Sequence, residues 1–401
     1  MDRTDANPLV EATEAPPIAQ AWQWVEGRAF PPEKPLIDLC QAVPGYPPAP
    51  ALAAHLAEQV QAPDSARYTP IDGLPALRAA LAARTAALYG GALRAEDVLV
   101  TAGCNQAFAV AVMTLARAGD NVILPAPWYF NHKMTLDLLG VEARALPLRE
   151  ADGLVPDPAA AERLIDSGTR ALVLISPNNP TGAIAPPEAI AALHALCERR
   201  GIRLLLDETY RDFPDWGGWA PHDLFRRPDW RRTLVHLYSF SKVYSLAGYR
   251  VGAVVADPGL LWNARKVMDC LAICAPHVGQ KAALFGLERL DGWVAGKRTD
   301  VAARIDAFRS AMAAGGTAYR TVGIGAFFAY LRHPFAGTPA RAVAERLARE
   351  HNLLCLPGSM FGPGQDAYLR FAFANLDAAA MPEVVRRLVE SERGQGGAVT
   401  G

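Results

Sequence analysis

Lysine is scarce in this chain: six lysines stand against 34 arginines in 401 residues. Charge of one sign is also missing as a block. The formal net charge is −1 and no Lys/Arg run stands out, so the footprint expected of a nucleic-acid or anionic-lipid binder is absent. The six cysteines, at 40, 104, 197, 270, 274 and 355, include no Cys-x-x-Cys pair, which gives no reason to expect a disulfide framework or a zinc site. They read as reduced residues, mostly in the core. No long hydrophobic run occurs. The most apolar window, 98–118, is interrupted by Thr101, Asn105, Gln106 and Arg117, as a buried strand and helix would be and a membrane span would not. The start, Met1-Asp2-Arg3-Thr4-Asp5-Ala6-Asn7, is polar and acidic, which argues against a secretory signal. A cytoplasmic protein acting on small molecules is the expectation.

The length suggests two domains. Residues 1 to about 35, with Trp22-x-Trp24 among many prolines, read as an extended arm laid over an apolar surface. Ile37-Asp38-Leu39 follows as a short strand, then a proline-rich loop at 42–48. From 51 to 256 short apolar runs alternate with helical patterns, the signature of an α/β fold with a mostly parallel seven-stranded sheet flanked by helices. The expected strands are 97–101, 121–125, 143–147, 171–176, 203–207, 233–237 and 251–256. Long helices at 258–270, 278–290 and 292–314 then lead into a smaller α+β part, with strands near 326–331, 353–356 and 368–372. The expected division is an N-terminal arm and part of the small domain (1–48), a large domain (49–295) and a small C-terminal domain (296–401), so that the small domain draws on both chain ends. The tail 394–401 reads as disordered.

In a parallel sheet, ligands gather where strands end. After 97–101 comes Ala102-Gly103-Cys104-Asn105, a glycine turn opening a helix, whose free N–H groups suit a phosphate. An ordinary strand-to-helix turn would look the same. After 121–125 stand Trp128, Tyr129 and Phe130, rings fit to lie against an aromatic cofactor or simply to pack. Asn178-Asn179-Pro180-Thr181-Gly182 is a rigid turn that can present the Asn179 amide. Asp207 ends an apolar strand, where a buried carboxylate calls for a cation. Ser239-Phe240-Ser241-Lys242 follows 233–237, with Arg250 eight positions on: an amine nucleophile and an anion site within one stretch. A lysine for a carbonyl, a buried Asp for a ring nitrogen, a phenol and an amide, and a phosphate cup together match what pyridoxal phosphate requires.

On Asn179-Pro180-Thr181-Gly182, Asp207-Glu208-Thr209-Tyr210, Ser239-Phe240-Ser241-Lys242 with Gly248-Tyr249-Arg250, and Leu369-Arg370-Phe371-Ala372, in that order, the chain resembles the fold type I, class I/II aminotransferases related to the aspartate and aromatic enzymes. The resemblance spans about 37–388. It implies a pyridoxal 5′-phosphate enzyme that moves an amino group from an amino acid to a 2-oxo acid. Lys242 would form the Schiff base and Asp207 would pair with the ring nitrogen, with His132 behind it. Tyr210 and Asn179 would bond the ring's phenolic oxygen. Ser239, Arg250 and the Gly103-Cys104-Asn105 turn would hold the phosphate, and Tyr68 would reach the phosphate of a neighbouring subunit, implying a homodimer with shared sites. Tyr129 would stack on the ring, with Trp128 a competing choice, and Arg370 would clamp the substrate carboxylate. Ala42 stands where the family commonly has a glycine beside that carboxylate. No arginine for a second carboxylate occurs in 271–278, and Phe327 and Tyr46 add aromatic surface, which leans the expected substrate toward neutral or aromatic amino acids. A β-lyase or amino-acid oxidase on the same fold would carry the same motifs. A regulatory binding protein would lack the need for Lys242, and a dinucleotide binder would want a Gly-x-Gly-x-x-Gly that follows no strand here.

Overall fold

The computed structural model describes residues 6–393; the expected disordered tail at 394–401 and the first five residues lie outside them. Strand β1 (Ile37–Asp38) precedes a seven-stranded sheet made of β2 (Val98–Thr101), β3 (Asn121–Ala126), β4 (Glu142–Pro147), β5 (Thr169–Ile175), β6 (Arg203–Asp207), β7 (Leu234–Ser239) and β8 (Gly252–Val255). Their order is β2-β8-β7-β6-β5-β3-β4. Only β8 runs antiparallel to its neighbours β2 and β7. All seven expected strands are present, shifted by at most two residues at their ends.

The central strands are continuous apolar runs because both faces are covered. Leu204 and Leu206 point into one core, with Leu172, Leu174 and Tyr89, while Leu205 points into the other, with Val173, Val235, Leu237 and Phe108. The helices on these faces begin where the chain supplies proline at the first turn, as in Pro75–Tyr89, Pro187–Arg200 and Pro258–Ala272. The first two end on left-handed glycines, Gly90 and Gly201.

The smaller part holds an antiparallel sheet in the order β12-β13-β10-β9, formed by β9 (Arg320–Gly325), β10 (Phe328–Arg332), β12 (Leu356–Pro357) and β13 (Tyr368–Ala372). Beside it, β11 (Leu353–Leu354) pairs in parallel with β1, so residues from both ends of the chain build this layer. Strand β9 was not expected from the sequence. Its residues are half-buried and include Gly323 and Gly325, which weaken a strand pattern. A side chain there would collide with the Asn178–Gly182 turn: a Cβ on Gly325 would lie 2.2 Å from the Gly182 carbonyl oxygen.

The N-terminal arm differs from the expected extended segment. It forms two short helices, Pro8–Ala12 and Pro17–Gln23, each with its proline in the first turn, and Asn7 accepts from the Leu9 N–H. The prolines start helices here instead of preventing them. Trp24 is buried in the core of the small part, whereas Trp22 is exposed. Among the described residues no helix is long and apolar enough to cross a membrane.

Candidate active site

Strand parity sets the centre of the site. Asp207, two residues after Leu205, shares its face, and Glu208 is sent to the opposite one. The Asp207 carboxylate accepts from the Thr209 N–H at 2.9 Å, and its other oxygen lies 3.5 Å from His132 Nε2 and 3.6 Å from Cys104 Sγ. Burial raises the pKa of Asp207, but His132 and Thr209 more than offset this, and the group sits below the usual carboxylate range. An anion is therefore held ready for a cation on the cavity side. His132 is stacked on Phe108, with ring centroids 3.9 Å apart.

The neighbouring strand β7 ends at Ser239, whose side chain accepts from the Ser241 N–H and starts the single turn Phe240–Val243. That turn carries Lys242 into the cavity. Its Nζ donates to the Ala42 carbonyl at 2.6 Å. Burial lowers the Lys242 pKa to about 8, helped by the positive charges of Arg250 and Arg370. An amine in this state is partly neutral near physiological pH and can act as a nucleophile.

The helix Cys104–Leu115 opens after β2, with Gly103 at its cap in a left-handed conformation (φ 87°). A Cβ at Gly103 would fall 2.5 Å from Arg250 Nη2. Arg250 itself donates to the carbonyls of Ala247 and Ala102 at 2.9 and 3.3 Å. A helix N-terminus and a guanidinium thus converge across a space only glycine leaves open, which is the donor set a phosphate needs. Burial and the Asp207 charge push the Cys104 thiol well up, so it stays protonated, in keeping with a packing role.

Asn179 and Tyr210 face the same cavity as Tyr129, whose hydroxyl donates to Asn105 Oδ1 at 3.3 Å. Burial pushes Tyr129 up to about 12 and Tyr210 well above its ordinary value, so both remain phenols. Trp128 does not line the cavity; its ring packs on Gly362 and its backbone N–H donates to the Phe361 carbonyl. Tyr68 is 75% exposed and stands outside the cavity of its own chain.

Arg370, on β13, enters from the small part and bonds Asn179 Oδ1 and the Cys40 carbonyl. The cavity also receives residues that the sequence did not single out for it: Ile18, Gln41, Val43, Ile175, Thr209 and Ser241. Thr209 had a local signal, since an Asp two residues before an N–H forms an Asx turn. Ile18 had none, because only the fold of the N-terminal helix brings it here.

These groups suit pyridoxal 5′-phosphate: an amine of lowered pKa, a buried carboxylate facing the cavity, and a glycine cradle at a helix start beside an arginine. The family model for aminotransferase class I and II matches residues 34–388. The aromatic aminotransferase ISS1 of Arabidopsis thaliana is 29% identical over 358 residues, covering 88% of each chain. The arginine–pyruvate transaminase AruH of Pseudomonas aeruginosa is 30% identical over 322 residues, covering 80% of this chain and 81% of its own. In fold, the chain is similar to the aspartate aminotransferase from Thermus thermophilus with maleate, with a TM-score of 0.87 and 23% identity over 97% of this chain and 100% of that one. The chain belongs to the class I and II aminotransferases: it is a pyridoxal 5′-phosphate-dependent enzyme that transfers an amino group from an amino acid to a 2-oxo acid.

Proposed function

We propose that Lys242, Asp207, Tyr210, Asn179 and Arg370 carry the transfer in this chain, with the Gly103–Asn105 turn, Ser239 and Arg250 as the phosphate site and Tyr129 against the ring. The observation that carries the reading is one cavity lined by a nucleophilic amine of lowered pKa, a buried carboxylate and a buried guanidinium. When bound, pyridoxal 5′-phosphate supplies an aldehyde carbon that takes the nitrogen and a ring that draws electrons from Cα. Lys242 would hold the cofactor through its aldehyde carbon and, as a free amine, would move the proton at the substrate Cα. Asp207 would hold the ring nitrogen in its protonated form. Tyr210 and Asn179 would donate to the ring's phenolic oxygen. Arg370 orients the amino acid through its carboxylate, the bidentate pairing for which a guanidinium is shaped.

The substrate is proposed to be a neutral or aromatic amino acid. Ile18, Val43 and Phe130 give the cavity apolar wall, and the cations lining it are Lys242, Arg250 and Arg370, each already assigned. We extend the proposal to a cytoplasmic homodimer. Six free cysteines fit a reducing compartment, and the exposed Tyr68 is free to reach a second copy's phosphate site. The proposed division is 1–48, 49–295 and 296–401. In its support, the helix Asp291–Ala314 places Val294 in a core of the large sheet and Phe308 in that of the small part.

The test is a half-reaction. Holoenzyme is mixed with single L-amino acids in the absence of any 2-oxo acid, and its spectrum and products are followed. One 2-oxo acid released per site, with a matching spectral change, is expected for neutral or aromatic substrates. Continuous production of pyruvate and ammonia or of peroxide would refute the assigned roles, and a tenfold preference for aspartate would refute the specificity.

A further inference from the structure

Arg370 is 1% exposed, yet the groups it bonds are neutral: Asn179 Oδ1 and the Cys40 carbonyl. Its Nε has no hydrogen-bond partner. A buried guanidinium ordinarily needs an anion beside it, since removing such a charge from water is costly. The Asp38 carboxylate acts on it through its charge without a hydrogen bond, and two aromatic faces stand beside it. The guanidinium carbon lies 5.5 Å from the ring centroid of Phe328 and 5.3 Å from that of Phe361, both within the range at which a cation is attracted by a ring quadrupole.

Each ring is independently fixed. In the β10–β13 register Phe328 faces Ala372 and Tyr330 faces Arg370, so Phe328 and Arg370 are diagonal neighbours on one face of the sheet. Phe328 also meets the Tyr210 ring edge-on, with centroids 5.1 Å apart. Phe361 ends the turn Gly358–Phe361, where its carbonyl accepts from the Trp128 backbone N–H at 2.8 Å and its ring packs on Phe130 at 5.6 Å.

We propose that Phe328 and Phe361 are positioning residues that clamp the Arg370 guanidinium with two π faces, and so leave Nε–H and the remaining terminal N–H groups for the substrate carboxylate. A protein carboxylate in their place would steady the cation equally well but would occupy the same donors, in competition with the substrate. Ring faces attract the cation and take no N–H. The inference rests on Arg370 being the carboxylate ligand.

The test places a ring-fluorinated phenylalanine at position 328, which keeps the shape but strips the negative potential from the ring face. A second variant, Phe361→Leu, removes the other face, and Phe361→Tyr restores it. In each holoenzyme, KM and kcat are measured for the preferred amino acid, and calorimetry gives the Kd of the same carboxylate lacking its amino group. Loss of one face is expected to weaken carboxylate binding and raise KM about tenfold, with kcat changed less than about threefold, because the guanidinium is less well held in the geometry that meets the carboxylate. The fluorinated residue should have no effect in an Arg370→Leu background. Unchanged carboxylate affinity with the fluorinated ring, or an equal loss in the Arg370→Leu background, overturns the clamp while Arg370 keeps its role. If Arg370→Leu itself binds the carboxylate as well as the parent, the reading of Arg370 falls, and the clamp with it.

Discussion

Lys242 is a half-buried amine near two guanidiniums, and its chemistry follows from that position. Its pKa is lowered from 10.5 to about 8 by burial and by Arg250 and Arg370. Only the neutral amine attacks an aldehyde, so the rate at which apoenzyme takes up pyridoxal 5′-phosphate should rise through about pH 8, not through the range of a free lysine; stopped-flow absorbance measures it. The same shift has a sign for stability. The folded apoenzyme releases this proton before the unfolded chain does, so the Lys242 contribution is fully present above 10.5 and is lost as pH falls through about 8. Lys242→Ala should abolish the visible absorbance of the cofactor linkage and nearly all turnover. Wild-type rates in that variant would sink the assignment of the nucleophile.

At the scale of elements, strands end where charged groups are wanted on one side and must be neutralised on the other. Alternation sends Asp207 toward the cavity and Glu208 to the far face, where it is 1% exposed, bonds Tyr89 and, at 2.9 Å, His236 Nε2, and lies 3.5 Å from His222 Nε2. Burial raises the Glu208 pKa, yet the two histidines outweigh it and hold the group well below the usual range. Because the folded value is depressed, the stability it supplies is present above about 4.5 and declines as pH falls below it. Glu208→Ala should cost about 3 kcal/mol in denaturant unfolding at neutral pH, as removal of one member of a buried polar cluster does. The turn between β2 and its helix makes a different demand. Gly103→Ala puts a side chain at a left-handed φ and into Arg250, so cofactor retention should weaken about tenfold in equilibrium dialysis, and the backbone strain should lower thermal stability as well.

For the whole molecule, the large sheet supplies the amine and the carboxylate, the small part supplies Arg370, and the N-terminal helix adds Ile18, so the cavity exists only when all three meet. A second copy is expected to complete it. Tyr68→Ala should weaken cofactor retention although Tyr68 is largely exposed in its own chain, and light scattering should return twice the chain mass. Mixing Tyr68→Ala with Lys242→Ala chains should yield heterodimers in which one site has both residues intact. Failure to recover any activity on mixing would argue against a shared site.

The sequence by itself determined the sheet and the positions at its strand ends. Those depend on local patterns: an apolar run buried on both faces reads as a strand whatever surrounds it, and Asp207, Asn179 and Lys242 follow such runs directly. It also located Arg370 within β13, through its motif. What it could not determine depended on contacts between distant residues. The N-terminal helices looked like an extended proline-rich arm because a proline in a first turn and a proline in a loop are alike in local sequence. Strand β9 was hidden by glycines whose reason lies across the interface, against Gly182. Tyr129 and Trp128 are adjacent aromatics, and only packing decided that the first lines the cavity while the second lies on Gly362. The aromatic faces around Arg370 come from Phe328 and Phe361, separated from each other in sequence and brought together by sheet register and one turn. Local chemistry is written in the chain, but which side chains share a space is settled only when the layers close on one another.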